Sequence, residues 1–300
     1  MSVKELRALI TKAGLSFADC VEKSDLRGRA REAAAKGGGV AAGQPAAGAA
    51  PARGSVSTRT LGGYECIVNA PAGDEPINLL CIVLHGYGAS NSDFAPFPEL
   101  FAKMPQPQLA GKRIGWIFPQ AAPDKLGTPA WWEINPMEWM MAMQGGTAAL
   151  AGLIRKEFRG MPECRTKMQS LIADAEALFP NGSEAPLCMA GFSQGAMTAM
   201  DVSLSLPVGR VAGVMMLSGA PITVDAWQPK LVERRGKMQV LVTHGTADAV
   251  LPFAASGWLN DMLVASLCVP FPDDAAALPG SWPCVRPVMK SFNEHLSTGT

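Results

Sequence analysis

A serine flanked by glycines is the sequence feature that most restricts how this chain can fold. The short apolar run Leu187–Ala190 ends in Gly191-Phe-Ser-Gln-Gly195. A strand that turns sharply into a helix needs small residues two before and two after the turn residue, because larger side chains would collide with the neighbouring strand and helix. Gly191 and Gly195 occupy those positions, so we predict a strand, a tight turn at Ser193 and a helix.

Ser193 is the candidate nucleophile of this turn. The turn exposes the serine hydroxyl beyond the sheet and aims the first N–H groups of the helix toward an oxyanion on a substrate. The pattern also arises by chance in a chain with 31 glycines. Taken alone, it fits a structural serine in a helix-capping turn equally well.

Length and charge restrict the class of protein. With 300 residues, 48% of them hydrophobic, the chain can bury the core of one large domain and carry an appendage. A formal net charge of zero gives no bulk attraction to nucleic acid or anionic lipid. The charged segment Met1–Arg7 is unlike a signal peptide, and no later run is apolar enough to span a bilayer. We therefore expect a soluble, cytoplasmic protein without a transmembrane segment.

The cysteines give a second indication of the compartment. Seven of them are scattered along the chain without a C-x-x-C pair. The odd number and the wide spacing favour reduced, mostly buried thiols over a disulfide framework or a zinc site.

Residues 1–35 are predicted to form a separate small helical unit. Its first helix is capped by Ser2 and ended by Gly14, and its apolar face consists of Val3, Leu6, Leu9 and Ile10. The order of motifs here resembles the SAP-type helix-extended-helix module, some members of which bind nucleic acid. Seven basic residues face five acidic ones, which supports a protein contact or a spacer role at least as well. We expect no nucleic-acid partner and a possible protein partner for this unit.

The rest of the chain divides into a linker and a large domain. Residues 36–54 are rich in Ala, Gly and Pro, which predicts a flexible linker. Residues 55–300 alternate compact apolar runs with helical stretches, which indicates an α/β sheet with crossover helices. A helix is predicted at Glu163–Phe179. Besides the strand before Ser193, strands are predicted at Tyr64–Val68, Asn78–Leu84, Ile114–Phe118, Arg210–Leu217, Lys237–Thr243 and, with two prolines that suit a sheet edge, Val285–Phe292.

A serine nucleophile needs a base and an acid that orients the base, and the chain has only 3 histidines. His85 lies in a Gly-rich turn after a strand, where we interpret it as holding a loop that supplies an oxyanion donor. His244 begins the turn that offers Asp248 as the orienting acid, and we interpret it as a turn residue. His295 is left as the base by elimination.

Six motifs taken together resemble the phospholipase/carboxylesterase family of α/β-hydrolases, which includes acyl-protein thioesterases and small bacterial carboxylesterases. They lie in order within residues 61–300: Leu84-His-Gly-Tyr-Gly-Ala-Ser, Phe118-Pro-Gln-Ala-Ala-Pro, Trp131-Trp-Glu-Ile, Gly191-Phe-Ser-Gln-Gly-Ala, Leu217-Ser-Gly and His244-Gly-Thr-Ala-Asp with Leu251-Pro.

The resemblance implies an α/β-hydrolase fold, with a mostly parallel central sheet flanked by helices, and hydrolysis of carboxylic esters or thioesters without a metal or organic cofactor. It carries over Ser193, Asp248 and His295 as the catalytic triad. The backbone amides of Tyr87 and Gln194 become the oxyanion hole. The substrate classes it implies are small esters, lysophospholipids and S-acylated proteins.

Two features depart from the family pattern. The family usually has Gly before the catalytic histidine, whereas Glu294 precedes His295 here and either pairs with the ring or misplaces it. The connection Leu267–Pro287 is also long and rich in proline. Two alternatives therefore stay open: a catalytically impaired binding protein with this fold, and a protein whose N-terminal module makes the main interaction.

Trp131, Trp132 and the methionine-rich run Met137–Met143 allow two interpretations. Exposed near the strand ends, they line a groove for an acyl chain, because methionine adapts to flexible apolar ligands. Packed inside, they only fill the core. We name Trp131 and Trp132 as candidate substrate-pocket residues.

Overall fold

The computed structural model describes residues 10–11, 29, 54–103, 111–248, 250–251, 253–267 and 285–287. The chain divides into two units, Met1–Pro51 and Ala52–Thr300. Within the first unit, Ile10 is helical and buried. Most of the predicted module 1–35 and nearly all of the linker 36–54 lie outside the described residues, so both remain predictions. His295 lies outside them as well.

One sheet of eight strands forms the centre of the second unit. Its strand order is β1-β2-β4-β3-β5-β6-β7-β8. The β1–β2 and β2–β4 pairs are antiparallel and every other neighbouring pair is parallel, which confirms the predicted mostly parallel α/β sheet. The strands are β1 Ser55–Leu61, β2 Tyr64–Ala70, β3 Leu79–Leu84, β4 Ile114–Pro119, β5 Leu187–Phe192, β6 Val211–Leu217, β7 Gln239–Thr243 and β8 Val285–Pro287.

Helices connect the strands and cover both faces of the sheet. Those described are α1 Phe97–Lys103, α2 Pro136–Gln144, α3 Gly146–Leu153, α4 Met161–Ala177, α5 Gln194–Ser205, α6 Val224–Glu233 and α7 Phe253–Leu267. Helix α5 packs on β3, β5 and β6 and contacts α4 and α6. Helix α1 packs Phe97 and Phe101 against Trp116 and Phe118 of β4, in a smaller cluster on the other face.

Helix α5 is the most enclosed of these elements. Every residue from Gln194 to Leu204 is buried, as is typical of a helix packed on all sides. Its one carboxylate, Asp201, accepts hydrogen bonds from Arg165 Nε of α4 at 2.6 Å and from Trp227 Nε1 of α6 at 2.9 Å. These bonds satisfy the buried charge and join three helices. The helix that follows Ser193 is therefore fixed to its neighbours.

The described residues bear on three further expectations. No helix among them is long and apolar enough to cross a bilayer. The four cysteines that can be described carry free thiols; Cys66, Cys81 and Cys164 are buried and Cys188 is partly buried. The edge position predicted for the last strand is confirmed, because β8 pairs only with β7 in the described sheet.

Candidate active site

Ser193 lies between β5 and α5 with φ 53° and ψ −119°. A positive φ is uncommon for a residue with a side chain, and it persists only where the surroundings hold it. Here the Ser193 N–H donates to the Leu217 carbonyl of β6 at 2.9 Å, and the Ser193 carbonyl accepts from the Ala196 N–H at 3.0 Å. The residue is partly exposed. The predicted strand, turn and helix are confirmed.

The two flanking glycines leave no room for a side chain. A Cβ on Gly191 would lie 2.3 Å from the carbonyl carbon of Gly195. A Cβ on Gly195 would lie 2.3 Å from the carbonyl oxygen of Leu84 in β3. Both clashes involve backbone atoms, which cannot move aside as a flexible side chain can. The spacing of the two glycines thus follows from the close approach of β5, α5 and β3.

Two backbone N–H groups that follow the paired strands β3 and β5 have no hydrogen-bond partner among the described residues. Gln194 is the first residue of α5, where helix N–H groups have no partner within the helix. Tyr87 lies in the loop after β3, and Leu84 at the end of β3 pairs with Gly191. Within the described part of the chain, neither the Tyr87 N–H nor the Gln194 N–H donates a hydrogen bond. The arrangement suits an oxyanion hole, and that role remains a prediction.

His85 holds the loop that carries Tyr87. Its ring is fully buried. The Ala121 N–H donates to His85 Nε2 at 3.0 Å, so Nδ1 carries the proton and donates to the Gly86 carbonyl at 2.7 Å. Burial lowers the pKa of His85 below its ordinary value and favours the neutral ring. Both ring nitrogens are occupied within the loops, in agreement with the loop-holding interpretation.

The loop after β4 supports the same segment from its other side. The Tyr87 hydroxyl donates to Asp124 Oδ2 at 3.1 Å, and the Gly88 N–H donates to the Pro129 carbonyl at 2.9 Å. The second oxygen of Asp124 accepts the N–H groups of Leu126 and Thr128 at 2.8 and 2.9 Å. The Tyr87 segment is therefore fixed by the buried His85 ring, by the Tyr87 hydroxyl and by the backbone of Gly88.

Trp131 and Trp132 are buried, at 5% and 3% exposure. The Trp131 indole N–H donates to the His85 carbonyl at 2.7 Å, and the Trp132 indole N–H donates to Thr198 Oγ1 at 3.0 Å. Burial favours the packing interpretation of these side chains. Their assignment to a substrate pocket remains a prediction.

The side chain of Gln194 contributes a contact that the sequence analysis did not identify. Its Oε1 accepts the Trp131 N–H at 3.1 Å, and its Nε2 donates to the Trp132 carbonyl at 2.8 Å. A primary amide can satisfy an N–H and a C=O at once. The only signal in the sequence was the residue type, because the partner lies 63 residues away.

Asp248 lies at the same edge of the sheet as Ser193. In register, Phe192 of β5 faces Leu217 of β6, and Leu217 faces Thr243 of β7. The loops that begin with Ser193 and His244 therefore leave neighbouring parts of the sheet at one level, where α/β proteins place their sites. Asp248 is in the second of these loops.

The Asp248 carboxylate has a defined orientation. Its Oδ1 accepts the N–H groups of Val250 and Leu251, both at 2.9 Å. Its Oδ2 lies 3.6 Å from His244 Nε2. Two backbone donors fix one oxygen, which leaves the other able to orient a histidine ring.

His244 is buried and belongs to the same turn. Its Nε2 lies 2.9 Å from the Leu251 carbonyl, a contact in which only the ring N–H can be the donor. The other ring nitrogen, Nδ1, has no hydrogen-bond partner among the described residues. This agrees with the interpretation of His244 as a turn residue. His295 is not among the described residues, so the triad of Ser193, Asp248 and His295 stays a prediction.

Helix α2 presents an apolar surface that the sequence left ambiguous. Trp139 is buried and its ring lies 6.0 Å from that of Phe158. Met137 and Met141 are 57% and 63% exposed, and Met140 is exposed as well. The methionine-rich run is thus divided between core packing and a solvent-facing apolar surface.

An eight-stranded, mostly parallel sheet with a serine on a tight turn between strand and helix defines an α/β-hydrolase. The model of the phospholipase/carboxylesterase family matches residues 67–298. The chain belongs to this family.

Comparison with solved structures gives weaker likenesses. Esterase PE8 is 19% identical over 66% of this chain and 84% of its own, with a TM-score of 0.47. Acyl-protein thioesterase 2 of Zea mays is 20% identical over 67% of this chain and 84% of its own, with a TM-score of 0.46. The Bacillus cereus carboxylesterase is 15% identical over 68% and 80%, with a TM-score of 0.43. None of the curated proteins matches this chain in sequence.

Proposed function

We propose that this protein is a serine hydrolase that cleaves carboxylic esters or thioesters. The observation that carries the proposal is the conformation of Ser193, which has a positive φ on a turn where neither flanking position admits a side chain. Such strain is retained where it serves a function. Membership of a family of phospholipases and carboxylesterases supports the same conclusion.

The proposed reaction proceeds through an acyl-enzyme. Ser193 Oγ attacks the acyl carbonyl carbon while His295 takes its proton, and the Tyr87 and Gln194 N–H groups donate to the oxyanion. The carbonyl re-forms, the bond to the leaving group breaks, and His295 returns the proton to the leaving alkoxide or thiolate. Water then repeats the sequence on the acyl-enzyme and releases the carboxylic acid.

Asp248 is proposed to orient His295 and to stabilise the charged ring. The two backbone bonds to its Oδ1 support this role, because they fix the carboxylate before any histidine approaches. A preorganised acid holds the base in one tautomer and one direction. This mechanism uses no metal or organic cofactor.

The exposed methionines of α2 support a substrate with an apolar acyl chain. Flexible thioether side chains adapt to such ligands. Initial rates on a series of acyl-chain lengths, measured for oxygen esters and for thioesters, separate small esters from long-chain and S-acylated substrates. If the chain is bound on α2, Met141→Ser lowers kcat/KM for long chains and leaves acetyl esters unchanged.

A fluorophosphonate probe tests the proposal directly, because it labels only an activated serine. We expect labelling of the wild-type protein and of Ser183→Ala, which alters an exposed serine outside the site, and none of Ser193→Ala. A folded wild-type protein that is not labelled would instead support the impaired binding protein that Glu294 leaves open. Labelling that survives in Ser193→Ala would place the nucleophile elsewhere.

A further inference from the structure

The two proposed oxyanion donors come from different loops. Tyr87 follows β3 and Gln194 follows β5, and both lie beyond the ends of the paired strands. Sheet hydrogen bonds therefore do not by themselves fix one N–H relative to the other. Stabilising an oxyanion requires both donors within about 2.7–3.1 Å of one oxygen position. Some further contact has to fix their separation.

A chain of hydrogen bonds through the loop after β4 supplies that contact. The Gln194 side-chain amide bonds the backbone of Trp131 and Trp132 through both of its polar atoms. The Trp131 indole N–H then donates to the carbonyl of His85, two residues before Tyr87. We call Gln194, Trp131 and His85 the oxyanion frame. It joins the first residue of α5 to the loop after β3 through the loop after β4.

Because these hydrogen bonds are buried, losing any one of them is costly. Gln194 is 1% exposed, and the side chains of Trp131 and His85 are buried as well. Water cannot substitute for a lost partner there, so a broken bond leaves a buried donor or acceptor unsatisfied. The amide is also suited to the position by chemistry, because Trp131 offers an N–H and Trp132 a C=O. A side chain with only donors or only acceptors would satisfy one of them.

Contacts within the loop after β4 hold its two sides together, so a displacement at one end of the loop also moves the other end. Pro123 and Pro129 form an antiparallel bridge, and the Ala130 N–H donates to the Ala122 carbonyl at 3.0 Å. The same loop accepts the Tyr87 hydroxyl at Asp124. Tyr87 is therefore held against one end of this loop while Gln194 holds the other.

We propose that the Gln194 side chain is a positioning residue, which acts through Trp131 to set the placement of the Tyr87 N–H relative to the Gln194 N–H. This inference rests on the proposed hydrolase function. In the proposed reaction the Gln194 backbone N–H donates to the oxyanion, whereas its side chain, among the described residues, forms hydrogen bonds with Trp131 and Trp132. Loss of the side-chain bonds lowers the stabilisation of the transition state more than the affinity for the substrate, because the oxyanion forms only during the reaction.

Gln194→Met is the first test, because methionine keeps the length of the side chain and removes both hydrogen bonds. We expect kcat to fall by about 10- to 100-fold, less than or equal to the loss of a whole oxyanion donor, with KM within about threefold of wild type. Inhibition by a trifluoromethyl ketone, which forms an oxyanion on Ser193, should weaken in proportion to kcat/KM. Gln169→Met is the matched control, because Gln169 is exposed on α4 and should leave all three values unchanged.

Gln194→Glu adds a signature that a purely structural role would not produce. The ionised carboxylate accepts the Trp131 N–H and faces the Trp132 carbonyl without a proton to donate, whereas the protonated form restores both bonds. Burial raises the pKa of such a carboxyl. The ratio of variant to wild-type kcat should therefore rise as the pH is lowered from 8 to 6, while the same ratio for Gln194→Met stays flat.

Amide hydrogen exchange tests the frame without catalysis. The Gly88 and Ala89 N–H groups are hydrogen-bonded in the Tyr87 segment and report on its opening. Gln194→Met, which removes two buried hydrogen bonds, should raise their exchange by about tenfold or more. Trp131→Phe, which removes the indole N–H from the frame together with part of the buried ring, should also raise their exchange and serves if the first variant does not fold.

The outcomes separate the two proposals. A folded Gln194→Met protein with wild-type kcat, or with a loss confined to KM, overturns the positioning role. Unchanged exchange at Gly88 and Ala89 in both variants overturns it as well, even in a protein that cleaves no ester. An inactive wild-type protein that the fluorophosphonate does not label refutes the proposed hydrolase function. The hydrogen-exchange data then still test whether the oxyanion frame fixes the Tyr87 segment.

Discussion

The nucleophile side and the acid side of the candidate site are built differently. Around Ser193, three loops are joined by buried hydrogen bonds that involve Gln194, Trp131 and His85. Around Asp248, one loop closes on itself through bonds to Val250 and Leu251, and the buried Nδ1 of His244 has no partner among the described residues. The first side is fixed by contacts between loops and the second by contacts within one loop.

The difference indicates which parts of the reaction depend on the fold. The nucleophile and the oxyanion donors must keep their mutual distances through every turnover, and their loops are joined to a fully buried helix. The acid must only orient a base, which tolerates a locally closed turn. Changes to the contacts that join loops on the nucleophile side should therefore affect chemistry and folding together, whereas removal of the Ser193 hydroxyl alone, or changes on the acid side, should separate the two.

Ser193→Ala should give the largest effect. It removes one hydroxyl from a turn whose glycines stay in place, so hydrolysis should fall by about 10⁶-fold. The free energy of unfolding, measured by urea denaturation, should stay within about 0.5 kcal/mol of wild type. An identically prepared Ser183→Ala protein, inactivated with fluorophosphonate, gives the background rate. Turnover of Ser193→Ala above that background would contradict the assignment of Ser193 as the nucleophile.

His295→Ala should lower turnover by about 10⁴-fold or more, because it removes the general base. His244→Ala should act mainly on stability, since that ring bonds only the Leu251 carbonyl among the described contacts of its turn. Activity and urea denaturation of both variants separate the two roles. An inactive but folded His244→Ala protein, beside an active His295→Ala protein, would move the base to His244.

The pH dependence of the wild-type enzyme sharpens the same assignment. A neutral histidine base predicts that kcat/KM falls below about pH 6.5, with the limb moved upward if Asp248 and Glu294 stabilise the charged ring. Replacing Glu294 by Gly should move this limb to lower pH. If the acid limb does not move, Glu294 does not lie close enough to the base to affect its pKa.

Gly191→Ala should damage the fold by several kcal/mol, because its Cβ would lie 2.3 Å from the Gly195 backbone. Gly213→Ala is the matched control in the next strand, where a Cβ would meet the Gln239 carbonyl oxygen at an ordinary 3.7 Å. Soluble yield and urea denaturation compare the two. If Gly191→Ala is as stable as Gly213→Ala, the turn is looser than the backbone contacts indicate.

Sequence patterns predicted best the parts that depend on local sterics and burial. The glycine spacing predicted the turn at Ser193 between a strand and a helix, and the apolar runs predicted β3 and β4 to within about one residue at each end. The missed strand β1 shows the converse. Its residues Ser55–Thr60 are polar except for Val56 and are largely exposed at the sheet edge, so they carry no alternating apolar signal.

Contacts between distant loops could not be predicted in this way. The methionine-rich run forms helix α2 with one buried tryptophan among exposed methionines, a division that its composition does not encode. The role of the Gln194 amide depends on which backbone groups the fold brings to it. The turn at Ser193 can thus be predicted from its own residues, whereas the oxyanion frame can be identified only from the tertiary structure.

The smallest predicted effect concerns the pH dependence of stability on the nucleophile side. Burial lowers the pKa of His85, although its bond to the Gly86 carbonyl and the charge of Asp93 act in the opposite direction. At a pH between the lowered pKa and about 6.5, His85 is protonated in the unfolded chain and neutral in the folded protein. The contribution of His85 to the free energy of unfolding is therefore fully present above about pH 6.5 and is lost as the pH falls.

His85→Gln tests this contribution, because glutamine can still bond the loop but does not titrate. Wild-type stability should decrease below pH 6.5 with a slope of at most about 1.4 kcal/mol per pH unit from this residue. The variant should be less stable at pH 8 and should show a shallower decrease between pH 6.5 and 5, measured by urea denaturation at each pH. Parallel curves would mean that His85 accepts a proton in the folded state as readily as in the unfolded chain, and the Ala121 N–H would then have to lose its acceptor without cost to the loop that carries Tyr87.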